Sequence, residues 1–329
     1  MATSTVVVSV YNKEKYLKNA LMSLEKQENK DFDVIIIDDK STDNSRDIVK
    51  NFANKTDMKV RLIFNKENIG ISQVRNLCIG LVDTPYITFL DGDDFLNPYF
   101  IDKMNMIVSR HSSNSFDLIR GNVVLLDEAG SIVSNGRMNN YGEEEIIYPM
   151  IDYGYVSNEI ISCNGRYFNT DFIKNFKFYD SNIEDYEFFL DLVSSNPKII
   201  YTNYAIYNYV DNPTGRVSNS IKNPYQIMVD CLEISARVRK RNEEKEVFEH
   251  LKNMVEVRGL ETVLRELKLN YSADFKKYAA WYITSFFKEI VTNDPRFRHE
   301  YKLLREMMGS TYISEDDAMI KMKKIAMKH

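Results

Sequence analysis

The chain has 329 residues, 44% of them hydrophobic, and 43 Lys and Arg against 48 Asp and Glu, a formal charge of -5. That is enough for a sizeable core in one large domain with an appendage, or in two domains, and it excludes the global basic field of a nucleic-acid binder. No stretch approaches the roughly 20 apolar residues of a membrane span. The N-terminus lacks a secretory pattern, and Cys78, Cys163 and Cys231 form no CxxC pair, so a reducing cytoplasm is expected.

In chain order, residues 5–10 form a β-branched run. Residues 15–26 carry Leu17, Leu21 and Leu24 at helical spacing, and 33–37 are a second buried strand. A short helix over 45–52 follows, then a third strand over 60–64. Val74, Leu77, Cys78 and Leu81 predict a helix over 71–81, and 86–90 are a fourth strand. Repeated strand–helix units with continuous apolar strands imply an α/β fold with a mostly parallel sheet covered on both faces. Ligands bind such sheets at the carboxyl ends of the strands. Polar residues collect there: Tyr11-Asn12, Asp38-Asp39, Asn65 and Asp91 to Asp94.

Pro98 suits the first turn of a helix running to about residue 108. Residues 118–133 read as a hairpin around Asp127 to Gly130. Strands are expected over 160–168 and 198–209, with a helix over 184–194 stopped ahead of Pro197. From about 223 the strands cease. Helical segments follow over 225–240, 243–269, 273–291, 298–308 and 315–327. A boundary near 222 therefore divides a nucleotide-type domain, 1–222, from a helical C-terminal domain, 223–329.

Asp91-Gly92-Asp93-Asp94 directly follows a buried strand. Carboxylates this close raise one another's pKa or call for a cation, and as hard ligands they suit Mg2+ or Mn2+. The plain alternative is a solvated Asp-Gly turn. Asp38-Asp39 also ends a strand. These residues can bind loop amides, with Asp43 capping the next helix, or read the N–H edge of a base; an acidic receiver-type pair is disfavoured by the Asp91 that ends the fourth strand. Arg75 either pairs with a surface acid or faces a nucleotide pocket. Glu184 and Asp185 open a helix, where acids are favoured by the macrodipole.

Together, Val7 to Asn12, Ile37 to Asp43, Asn68-Ile69-Gly70 with Val74-Arg75-Asn76, and Phe89 to Asp94 resemble the motifs of the family-two, GT-A-fold glycosyltransferases. Ile183-Glu184-Asp185-Tyr186 is similar to that family's acidic motif. The resemblance reaches about residue 220 and does not cover the helical tail.

It implies an inverting, metal-dependent transferase that moves a hexose or N-acetylhexosamine from a UDP-sugar to a hydroxyl of a glycan or lipid-linked glycan of a bacterial surface. Tyr11 and Asp39 would hold the uracil, with Asp38 beside them. Arg75 would contact the base or pyrophosphate, and Asp91 the ribose. Asp93, with Asp91, would hold Mn2+ or Mg2+, Gly92 would shape the turn, and Asp94 would assist the donor sugar or the metal. Asp185 would be the general base, with Glu184 as its substitute. A silent glycan-binding subunit that keeps the fold is the competing class, and a two-carboxylate glycosidase ranks below both.

Tyr207-Asn208-Tyr209 with Arg216 and Ser218 to Ser220 could form a lid. The C-terminal helices have three open readings: an oligomerisation bundle, a cover for the acceptor, or docking on the inner face of the membrane through 319–327 and its lysines.

Overall fold

The computed structural model describes residues 2–112, 115–134, 146–149, 162–212, 223–244, 260–261, 263–265, 267–268 and 271–329. Strand β1 (Ser4–Val10) is buried along its whole length, as the unbroken Val6-Val7-Val8 run requires of a strand covered on both faces. It pairs in parallel with β2 (Phe32–Asp38) and with β4 (Tyr86–Asp91), and β2 pairs in parallel with β3 (Val60–Phe64). Helices α1 (Leu17–Glu25), α2 (Ser45–Ala53) and α3 (Gly70–Leu81) connect these strands. Each lies within two residues of its predicted place.

Beyond β4 the sheet becomes mixed. β9 (Arg166–Asn169) is antiparallel to both β4 and β6 (Leu118–Leu126), and β6 runs parallel to β10 (Lys198–Val210). β5 (Phe95–Leu96) and β8 (Ile146–Pro149) lie antiparallel to β10, and β7 (Ile132–Ser134) folds back on β6 as the expected hairpin. The order along the main path is β3-β2-β1-β4-β9-β6-β10-β5. Val8, Ile36 and Leu90 of the sheet share one core with Leu21 of α1 and with Phe100 and Met104 of α4 (Phe100–Arg110); Tyr167 and Tyr207 close it.

Contacts divide the chain into two compact units. The first comprises 1–152, 158–180 and 197–212, and holds the whole sheet. The second comprises 153–157, 181–196 and 213–329. It is helical. A short α5 (Thr170–Ile173) belongs to the first unit, whereas α6 (Glu184–Val193), encoded between β9 and β10, belongs to the second. The second unit continues with α7 (Pro224–Asn242), α8 (Ala273–Phe286), α9 (Lys288–Asn293), α10 (Arg298–Met308) and α11 (Glu315–Ala326).

The single helix expected over 273–291 is two. Phe287 leaves helical geometry at φ -102° and ψ 24° and buries its ring, a break that no Gly or Pro announces. Residue 222, Arg216, Ser218 to Ser220 and most of the helix expected over 243–269 lie outside the described residues. Among the described residues no helix is long and apolar enough to cross a membrane.

Candidate active site

The carboxyl ends of the four parallel strands carry the polar loops, and hydrogen bonds lash these loops together. After β1, Asn12 turns the chain with φ 52°, a left-handed conformation that Asn tolerates better than most residues. Its N–H donates to Ser41 Oγ at 2.9 Å, and its Oδ1 accepts from the Thr42 N–H at 2.8 Å. The Tyr11 ring is left 46% exposed, open to a flat ligand. After β2, Asp38 is fully buried, ion-paired to Arg46, and accepts from the Ser41 N–H at 3.2 Å. Asp39 accepts from Asn65 Nδ2 at 2.8 Å, from the Ile69 N–H at 3.0 Å and from the Gly70 N–H at 2.8 Å. It thus ties the β2 and β3 loops to the start of α3, where a carboxylate also meets the positive end of the helix. The amide-binding expectation for this pair is met, and Asp39 Oδ2, which holds one donor against the two on Oδ1, keeps room for another.

Arg75, on the second turn of α3, is 2% exposed. Its guanidinium lies 5.3 Å from the Phe178 ring centroid, and Nη2 is 3.4 Å from Asp91 Oδ1. Asp91 also accepts from Asn164 Nδ2 at 2.9 Å. The Gly92 N–H donates to Ser9 O at 3.0 Å. A Cβ at Gly92 would stand 3.1 Å from that oxygen and 3.3 Å from Lys13 Cγ, so the tight approach favours glycine. Asp93 is ion-paired to Lys13 and accepts from Asn212 Nδ2 at 3.2 Å. Asp94 turns inward. It accepts from the Tyr207 hydroxyl at 2.6 Å and from the Val210 N–H at 2.9 Å. Burial, and then the charges of Asp93 and Asp91, push its carboxyl well above the usual range, against these two hydrogen bonds.

Asp185 and Glu184 belong to the helical unit, in the first turn of α6. That helix is held through Glu187 in its first turn and Asp191 further along. Glu187 is fully buried; it accepts from Arg237 Nη2 at 2.8 Å and pairs with Arg241 Nη1 at 2.9 Å. Asp191 accepts from Arg241 Nη2 at 2.7 Å and from Asn242 Nδ2 at 2.9 Å. Burial raises the Asp191 carboxyl against these bonds, and the bond to Glu187 raises Arg237.

Residues 5–123 match the model of glycosyl transferase family 2. A Haemophilus influenzae protein described as an uncharacterized glycosyltransferase is 28% identical over 212 residues, 62% of this chain and 78% of that protein. TarS of Staphylococcus aureus, a poly(ribitol-phosphate) beta-N-acetylglucosaminyltransferase, is 31% identical over 116 residues, 35% of this chain and 20% of TarS. Alignments to other curated relatives span 15%, 30% and 49% of their lengths.

The crystal structure of TarS 1-349 in complex with UDP aligns with a TM-score of 0.62 at 18% identity, covering 100% of this chain and 92% of that one. A Pyrobaculum calidifontis mannosyltransferase in complex with GDP-Man and Mn2+ aligns at 0.53 and 13% identity, over 99% and 87% of the two chains. The fold is GT-A.

Four partners of the acidic turn escaped the sequence reading: Lys13, Asn164, Tyr207 and Asn212. Tyr207 is no lid residue. It is fully buried on β10, under Asp94. The available signal was that Tyr207 falls inside the strand expected over 198–209, where Ala205 and Tyr207 alternate with less buried neighbours.

Among the described residues no three carboxylate, imidazole or thiol groups converge to cage an ion. Asp94 is buried under Tyr207, whereas Asp91 and Asp93 stay partly exposed at 27% and 14%, each with partners that a cation could replace. Magnesium-like ions are commonly held by one or two carboxylates and completed by substrate phosphates and water. The acidic turn fits that kind of site.

Proposed function

We propose that the chain transfers a hexose or N-acetylhexosamine from a UDP-sugar to a hydroxyl of a bacterial surface glycan or lipid-linked glycan, with inversion. The observation that carries this reading is the single sheet edge where Tyr11, Asp38-Asp39 and Asp91 to Asp94 follow β1, β2 and β4. The UDP in the similar TarS structure supports the choice of nucleotide, and the TarS name supports the sugar class and the surface-polymer acceptor.

In this reading the half-exposed Tyr11 ring stacks on the uracil, and Asp39 accepts from its N–H edge. Asp91 receives the ribose hydroxyls, oriented by Asn164 and Arg75. Asp94 acts from beneath, holding the turn through Tyr207. A divalent ion, Mn2+ or Mg2+, would be held by Asp93 together with Asp91, and when bound supplies charge stabilisation to the departing diphosphate. Asp185 takes the acceptor hydroxyl's proton as that oxygen attacks the anomeric carbon; the bond to the diphosphate breaks, UDP leaves, and the centre inverts. Such a base contributes about 10²–10⁴-fold. The cytoplasm is the proposed location.

The test compares two variants. Asp93→Asn should abolish the UDP-plus-Mn2+ thermal shift. Asp185→Asn should keep that shift and lower kcat by about 10² or more. A full metal-dependent shift in Asp93→Asn, a near wild-type rate in Asp185→Asn, or a product of retained configuration by NMR would overturn the assignment concerned.

A further inference from the structure

The Asp93 carboxylate has a cation of its own. Lys13 Nζ is paired with Asp93 Oδ2, the oxygen that also accepts from Asn212. The lysine is seated from three sides. Its N–H donates to Ser45 Oγ at 2.9 Å, and Ser45 is fully buried. Its carbonyl accepts from the N–H groups of Tyr16 and Leu17, at 2.9 and 2.8 Å, which starts α1. Its stem lies against Gly92, so close that an added Cβ would meet Lys13 Cγ at 3.3 Å and Cβ at 3.4 Å. The two charged side chains are 21% and 14% exposed, shielded from most solvent screening. An ordinary surface lysine pair is loose and contributes little. This one has a fixed backbone, a packed stem and a mostly buried partner.

Resting on the reading of Asp93 as the metal carboxylate, we propose that Lys13 is an exchangeable counter-ion: it neutralises Asp93 in the donor-free protein, competes with the divalent ion for that carboxylate, and yields it when the ion arrives with a nucleoside diphosphate. A tethered competitor acts at high effective concentration. An ion alone must displace the ammonium and leave it beside a new positive charge. An ion that arrives with a diphosphate brings negative charge, which offsets both cations. Metal and nucleotide are thereby coupled, each raising the other's affinity by the same factor. The ion loads with the donor instead of ahead of it.

The experiment is a Mn2+ titration of the full chain by electron paramagnetic resonance, with and without UDP. It is run on the wild type, Lys13→Met, Lys13→Gln and Asp93→Asn, with thermal melts to verify folding. Removing one unit charge beside the carboxylate should tighten UDP-free Mn2+ binding by about tenfold or more in both Lys13 variants. The gain in Mn2+ affinity on adding UDP should shrink by the same factor. Unchanged or weaker UDP-free binding in the folded Lys13 variants overturns the proposal and makes Lys13 a static brace of the turn. Asp93→Asn separates the two readings. If it removes UDP-supported Mn2+ binding while the Lys13 variants show no tightening, the counter-ion idea alone falls. If it leaves that binding intact, the metal assignment falls and takes the counter-ion with it.

Discussion

Glu187→Gln keeps the shape of the side chain and removes its charge. Three N–H donors converge on the carboxylate: Arg237 Nη2 at 2.8 Å, Arg237 Nε at 3.3 Å and Arg241 Nη1 at 2.9 Å. Glutamine offers one oxygen to the three, and its amide turns N–H groups toward a guanidinium. Breaking a fully buried pair from one side costs roughly 3–5 kcal/mol. Here the arginines are 43% and 28% exposed and Arg241 keeps Asp191, so the expected loss is about 2–3 kcal/mol. At about 2–4 °C per kcal/mol for a body of this size, the helical unit should melt about 5–10 °C lower. Differential scanning calorimetry reads this directly. Moderate salt should recover little of it, because the carboxylate is buried. The proposed donor residues all belong to the first unit, so UDP affinity of the folded variant should stay within about twofold of wild type. A melting temperature within about 1 °C of wild type would refute the view that Glu187 anchors α6.

Tyr207→Phe removes the hydroxyl that donates to Asp94 and should destabilise the protein by about 1.5–3 kcal/mol in urea unfolding; a change under about 0.5 kcal/mol would show that the bond contributes nothing net. Asp43 has its carboxyl held below the ordinary 3.8, because bonds from the Ser45 hydroxyl and from the Glu14 and Ser45 N–H groups outweigh the opposing effect of burial. A depressed value gives stability that is present above 3.8 and lost as pH falls through the folded value. Asp43→Ala should therefore cost about 1 kcal/mol at neutral pH, with the gap closing in acid; a pH-independent gap would count against this. Cys78, Cys163 and Cys231 are buried thiols outside any disulfide, and burial pushes the Cys78 thiol up to about 12. The native protein should resist an aromatic disulfide reagent at mild alkaline pH and expose three thiols on denaturation. Rapid native labelling of any of them would contradict the buried placement.

The half of the sheet made of local strand–helix units could be read from the chain. Continuous runs such as Val34 to Ile37 announce both a strand and its burial, and the acids that follow stand where a parallel sheet puts its ligands. What could not be read depends on distant pairing. Two residues suffice for β5 because Tyr207 and Asn208 lie opposite them, which no local period reports. The Tyr207-Asn208-Tyr209 run looks polar enough for a loop, yet Tyr207 is buried because Asp94 supplies its hydroxyl with a partner from 113 residues away. Glu187 looks like a helix-start acid, and only Arg237 and Arg241 make its burial tolerable. Lys13 is the second residue after the Tyr11 of a recognisable motif, but its partner lies 80 residues on.

The position of α6 in the chain has a consequence for synthesis. The ribosome makes this helix before it makes β10, so the sheet is still missing a strand when a segment destined for the other unit emerges. Phe188, Phe189, Leu190 and Leu192 must then wait for the helices that will cover them, and Glu187 waits 50 residues for its first arginine. At roughly 5–20 residues per second that is an interval of seconds with apolar surface uncovered. Neither unit can be finished as a separate piece of nascent chain. A gene cut near residue 222 would release a sheet joined to a greasy helix whose Glu187 and Asp191 have lost both arginines, and aggregation during expression would be its signature.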